Sequence, residues 1–125
     1  MITLISFGAL HGPAPEATLT YDLRGLLRDP HTSDELRELT GLDSAVRDKV
    51  MNTGNARQIL IILADLIEET YCAGESRDIT IAIGCAGGRH RSVVFAQKLY
   101  HVLGNDYGHI VRVRHRDIDK PVIRR

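Results

Sequence analysis

The chain has 125 residues, with 16 Lys+Arg against 16 Asp+Glu, so its formal net charge is zero. The balance is uneven: residues 1–84 carry 7 basic and 13 acidic side chains, and residues 85–125 carry 9 basic and 3 acidic. That split excludes a uniformly basic histone-like protein and a uniformly acidic disordered one, and it hints at an anion-binding face in the second part.

An aromatic share of 5% with no Trp excludes a nucleic-acid binder built on several stacked rings. The length fits one domain with a core that needs no staples. The two cysteines, Cys72 and Cys85, form no CxxC and no Cys/His ligand cluster. No metal site and no cofactor are therefore expected, and the thiols suit a reducing cytoplasm.

Along the chain, Ile2–Phe7 is an apolar run ending at Gly8 and predicts a first strand rather than a signal peptide. Residues 8–18, with two glycines and two prolines, predict a loop. Thr18–Leu23 predicts a second strand. Residues 24–43 are broken by Gly25, Pro30 and Gly41, with a short helix at Asp34–Leu39. Asp43 or Ser44 is placed to cap a helix running to Met51.

Residues 55–72 predict the clearest helix. Ile59, Leu60, Ile62, Leu63, Leu66 and Ile67 form a broad apolar stripe opposite Arg57, Asp65, Glu68 and Glu69. Cys72, at its end, is expected in the core. Ile79–Ile83 is a β-branched run and predicts a buried strand, followed by a glycine-rich turn over 84–91. Ser92–Leu103 has helical spacing, and 104–108 predicts a turn. Ile110–His115 alternates, with Arg112 and Arg114 on one face and Val111, Val113 and His115 on the other. No apolar run reaches the length of a membrane span. The element order predicts a single α/β domain, a small mostly parallel sheet with flanking helices. Its segment 79–115 forms a right-handed crossover.

The informative segment is Ile83-Gly84-Cys85-Ala86-Gly87-Gly88-Arg89-His90-Arg91-Ser92. Between a strand and a helix, glycines let the backbone turn and approach a ligand closely. The helix N-terminus attracts an anion. Arg89 and Arg91 offer guanidinium donors, and Ser92 is placed to cap the helix and offer a hydroxyl. The loop is neither a Walker A motif nor a GxGxxG fingerprint.

Cys85-x5-Arg91-Ser92 is similar to the phosphate loop of cysteine-dependent phosphatases, which makes Cys85 with Arg91 an alternative catalytic pair. Such enzymes usually place His before the Cys, where Gly84 stands, and need an Asp acid, for which Asp22 or Asp29 is available.

A wider resemblance covers nearly the whole chain. It runs through Phe7-Gly8, His11-Gly12-Pro13, Tyr21-Asp22-Leu23-Arg24 and Asp29-Pro30-His31. It continues through Glu35-Leu36-Arg37, Leu39-Thr40-Gly41-Leu42-Asp43, the loop Gly84–Val93, and Arg114-His115-Arg116-Asp117-Ile118-Asp119-Lys120. With these motifs in this order, the chain resembles the C-terminal domain of the RNase adapter protein RapZ family.

The resemblance implies a non-enzymatic domain that binds glucosamine-6-phosphate and contributes to small-RNA binding. It implicates Asp22, Arg24, His31, Cys85, Gly87, Gly88, His90, Arg91 and Ser92 as ligand contacts, with His11 as a weaker member; Arg89 joins them from its place in the loop. It also implies a homodimer. Two departures stand out. Ala86 occupies a position usually held by Thr, and the family's P-loop kinase-like N-terminal domain has no counterpart here, so the chain reads as a standalone copy.

Other residues leave two readings open. Asp22 and Arg24, two apart on a strand, form either a surface ion pair or a sugar-and-phosphate contact. His90, between two arginines, is expected to be neutral. Residues 112–125 hold six basic and two acidic residues. Arg112, Arg114, Arg116 and Lys120 there either contact RNA phosphates or keep a strand edge solvated.

Overall fold

The computed structural model describes residues 1–27, 34–75 and 77–122. His31, Asp29, Arg124 and Arg125 lie outside these residues. Strand β1 spans Ile2–Gly8, β2 Leu19–Asp22, β3 Ile79–Cys85 and β4 Val111–His115. All neighbouring pairs are parallel, in the order β2-β3-β1-β4. The two central strands, β1 and β3, are buried on both faces apart from the half-buried Thr3 and Thr80, which is why they read as mostly apolar runs. Edge strand β4 keeps its alternation: Arg112 and Arg114 are exposed, and Val111, Val113 and His115 are half-buried.

Helix α1 spans Asp34–Glu38, α2 Ser44–Met51, α3 Ala56–Ala73 and α4 Arg91–His101, which continues as a wider turn over Val102–Asp106. One core joins the sheet to these helices. Ile2, Leu4, Ile79, Ile81 and Ile83 pack with Val46 and Val50 of α2, Leu60, Leu63 and Ile67 of α3, and Phe95 and Leu99 of α4.

Helix α3 buries a narrower stripe than its sequence suggests. Ile62 and Leu66 are 62% and 45% exposed, because the helix is covered on one side only. Cys72 is also exposed, its thiol directed to Glu68 at the solvent-facing end of α3, and not in the core.

Handedness decides where the connections run. In this strand order the route from β3 to β4 and the route from β2 to β3 go the same way along the sheet. Right-handed crossovers then place α1 to α4 on one face. The route from β1 to β2 runs the other way and takes residues 9–18 to the opposite face. Ile5 and Phe7 are buried there, outside the helix-side core.

Candidate functional site

Gly8, Asp22, Cys85 and His115 end the four parallel strands, and the register sets Gly8 beside Cys85 and Asp22 beside Gly84. The segments leaving β1 and β3, which are neighbours, depart to opposite faces. A crevice at the carboxyl ends of such a strand pair is the general ligand position of open parallel sheets.

The glycine loop is seated there by contacts that exclude side chains. A Cβ on Gly8 would fall 2.5 Å from the carbonyl of Gly87, and one on Gly88 would fall 2.6 Å from the nitrogen of Gly8. Gly88 also has φ +75°, a left-handed backbone that glycine adopts without penalty. A Cβ on Gly84 would meet the ring of Phe7 at 2.3 Å. A side chain before Cys85 would therefore require the Phe7 ring to move. Gly87, by contrast, faces open space.

Helix α4 starts at Arg91, one residue before the expected start. Its N-cap is His90, and Ser92 lies inside the first turn rather than capping it. The Ser92 side chain is fully buried and pairs with Cys85, Oγ to Sγ 3.1 Å, while its N–H points at the same sulfur at 3.5 Å. His90 donates from Nε2 to the carbonyl of Leu39 at 2.9 Å. Burial, more than the charge of Arg89, lowers its pKa and keeps the imidazole neutral.

The two loop arginines differ. Arg89 spends its guanidinium on main-chain carbonyls: Nη1 donates to Ile118 at 3.0 Å and Lys120 at 3.4 Å, and Nη2 to Glu38 at 2.6 Å. It is a tether between the loop, α1 and the C-terminal turn. Arg91 is 6% exposed and, among the described residues, makes one long hydrogen bond, Nη1 to the carbonyl of Leu27 at 3.4 Å. Among the described residues no carboxylate forms an ion pair with it.

Asp22 and Arg24 do meet, though not across a strand face. Strand β2 ends at Asp22, and Leu23–Gly25 is a 3-10 turn that the Asp22 carboxylate caps through the Arg24 N–H at 3.0 Å. The Arg24 guanidinium closes onto the same carboxylate at 2.8 Å. This pairing with Arg24, with a smaller contribution from the charge of Arg91, holds the Asp22 carboxyl below its usual range. The pair is solvent-exposed. His11 sits in the turn Ala9–His11, held to the loop by Leu10 N–H donating to the Ala86 carbonyl at 3.1 Å, and its buried Nε2 has no hydrogen-bond partner among the described residues.

Of the four basic residues read as RNA contacts, Arg112 and Arg114 are exposed on one face of the edge strand; Lys120 is exposed too, but beyond the strand. Arg116 and Lys120 are engaged by Asp117, which is fully buried: Arg116 Nη2 lies 2.9 Å and Lys120 Nζ 2.6 Å from its carboxylate. Gly8 N–H donates to the same group at 2.7 Å. Burial alone would raise the Asp117 pKa; the hydrogen bonds from Arg116, Lys120 and Gly8 outweigh it and hold the carboxyl far below the usual range. Reading the segment for its cations misses Asp117. Its signal was an acid set between bases at one and three residues' distance.

On the helix side, His115 is held between Ser6 Oγ at Nδ1, 2.7 Å, and Gln97 Oε1 at Nε2, 3.0 Å. Burial lowers its pKa. Among the described residues no group of His, Cys, Asp or Glu is placed to hold a metal ion, and no helix is long and apolar enough to cross a membrane.

The family model described as RapZ C-terminal domain matches residues 1–119. A nucleotide-binding protein of Mycobacterium leprae (strain TN) is 42% identical over 122 residues, which is 95% of this chain and 41% of that protein. A nucleotide-binding protein of Agathobacter rectalis is 38% identical, covering 98% of this chain and 43% of its own length. One from Mycobacterium tuberculosis is 41% identical, covering 95% and 40%. The chain thus spans about two-fifths of the length of the curated relatives it matches. A family model over 119 of 125 residues, on an all-parallel sheet with the glycine loop at its carboxyl edge, carries the conclusion: the chain belongs to the RapZ C-terminal domain family.

Proposed function

We propose that this domain is a sensor that holds a phosphorylated amino sugar, glucosamine-6-phosphate or a close relative, at the carboxyl edge of the sheet without converting it. The observation that carries this reading is Arg91. A guanidinium 6% exposed that, among the described residues, makes one long hydrogen bond and no ion pair is a buried cation that an anion would answer. Such a group is costly unless an anion answers it. It stands at the start of α4, where helix N–H groups and the macrodipole favour the same anion. Gly87, in the same loop, faces open space, and the Asp22–Arg24 pair supplies an acceptor and a donor for the sugar end.

The test is a thermal melt with and without glucosamine-6-phosphate. Ligand at a hundred times its Kd is expected to add about 2.7 kcal/mol of stability, and Arg91→Ala is expected to remove the shift. A wild-type melting temperature indifferent to glucosamine-6-phosphate and to related sugar phosphates refutes the reading. RNA contact, where this sensor makes it, falls to Arg112 and Arg114, the exposed pair on β4.

The Cys85–Ser92 contact favours a second reading, phosphoryl transfer through a Cys85 nucleophile. The Cys85 thiol donates to Ser92 Oγ and its sulfur accepts the Ser92 N–H, which sets a helix-start amide on the sulfur that would act as nucleophile. Turnover of an aryl phosphate that vanishes in Cys85→Ser supports this reading; no turnover, or turnover retained in that variant, dismisses it.

A further inference from the structure

We infer that the turn Arg116–Lys120 is a positioning clasp for the glycine loop, anchored by the buried carboxylate of Asp117. The turn reaches the loop by two independent routes at consecutive residues. The first runs through β1. Asp117 Oδ2 accepts the Gly8 N–H at 2.7 Å, and the Phe7–Gly8 peptide lies so close under Gly88 that neither glycine has room for a Cβ. The second runs through Arg89, whose guanidinium donates to the carbonyls of Ile118 and Lys120 inside the turn and to Glu38 beyond it.

The clasp is itself braced. Arg116 N–H continues the β4–β1 ladder by donating to Ser6 at 3.0 Å. The Arg116 guanidinium lies over the Phe7 ring, 5.5 Å from its centroid, and donates to the carbonyl of Pro13 at 2.5 Å. Lys120 closes the turn twice, by its ammonium on Asp117 Oδ1 and by its N–H on the Asp117 carbonyl at 3.1 Å. Asp117 is therefore a positioning residue. It touches no ligand; it fixes Gly8, and Gly8 fixes Gly88. A carboxylate with three donors in a buried place has one low-energy arrangement, since withdrawing any donor leaves buried charge uncompensated.

This inference rests on the sugar-phosphate reading only where affinity is concerned, so its test has two arms. The first needs no ligand. Amide exchange is followed by NMR at Leu10, whose N–H bonds the Ala86 carbonyl, and at Gly41, whose N–H bonds the Arg89 carbonyl. Neither amide touches Asp117, so a purely local role leaves them unmoved. Asp117→Asn is expected to speed exchange at both by at least about ten-fold. Ile67→Ala, a core change in α3 of comparable thermal cost, should not do so.

The second arm titrates glucosamine-6-phosphate calorimetrically, well below both melting temperatures. Asp117→Asn should weaken binding at least about ten-fold, with Ile67→Ala unchanged. Wild-type exchange at Leu10 and Gly41 in Asp117→Asn overturns the clasp, whatever the sugar does. Accelerated exchange with unaltered affinity overturns it as well, because the loop then binds without being held. Equal effects in Ile67→Ala reduce it to global stability. If the wild type itself fails to bind, the sugar-phosphate reading falls and the exchange arm alone judges the clasp. Should Asp117→Asn not fold, Lys120→Met removes one donor and should accelerate the same two amides more modestly; no acceleration overturns the proposal.

Discussion

The glycine loop and the segment 111–120 both carry several bases, and they use them in opposite ways. In the loop, Arg91 is buried and, among the described residues, forms no ion pair with a carboxylate. In the segment 111–120, Arg116 and Lys120 have found their anion inside the chain, at Asp117. Arg89 belongs by sequence to the first region and by bonding to the second. A count of basic residues therefore says little about a ligand; the partner that topology brings to each guanidinium says most.

The comparison breaks most visibly at Gly8. Gly8→Ala puts a methyl 2.5 Å from the Gly87 carbonyl, and overpacking against backbone is expected to cost about 3 kcal/mol. Gly87→Ala meets nothing within 4 Å and should leave the urea midpoint within error while weakening sugar-phosphate binding. A Gly87→Ala variant that unfolds would show the loop to be packed where it is taken as open.

The two arginines should separate next. Arg89→Ala strands three carbonyls, and a loss of about 1–3 kcal/mol is expected in urea unfolding. Arg91→Ala removes a buried charge that has no ion-pair partner among the described residues, so the apo protein should be no less stable while the ligand shift is lost. Equal stability losses would erase the distinction between tether and receptor.

A pH effect of intermediate size comes from His90 and His115. Burial lowers both from the ordinary imidazole value of 6.5, so the unfolded chain takes up protons before the folded one does. Their contribution is complete above 6.5 and is lost as pH falls from there towards the lowered values. Melting temperature should drop between pH 7.5 and 5, and His115→Asn should flatten part of that slope.

The smallest effects belong to the exposed pair. Arg112→Ala and Arg114→Ala are each expected to change stability by less than about 0.5 kcal/mol. If RNA binds there, each should lower the salt slope of binding by about one; an unchanged slope removes this edge as an RNA surface.

Much of this was legible from local pattern. The alternation over 110–115 predicted that Arg112 and Arg114 share a face and that His115 turns inward with the valines, and the pairing of His115 with Ser6 and Gln97 follows. The strand, loop and helix around 79–103 were likewise visible, because buried β-branched runs and clustered glycines are local signals. The prediction of Ser92 as cap and of Cys72 as core did not hold, since helix starts and one-sided helix burial depend on what packs alongside.

The sequence by itself determined the elements, the glycine loop, its place between a strand and a helix, and the family. Only the tertiary structure decided which cations are spoken for. Arg89 bonds carbonyls 29 and 51 residues away, and Gly8 meets Asp117 across 109. Periodicity reports on neighbours three or four residues apart. The fate of a charge depends on acceptors that the β2-β3-β1-β4 order alone brings to one edge of the sheet.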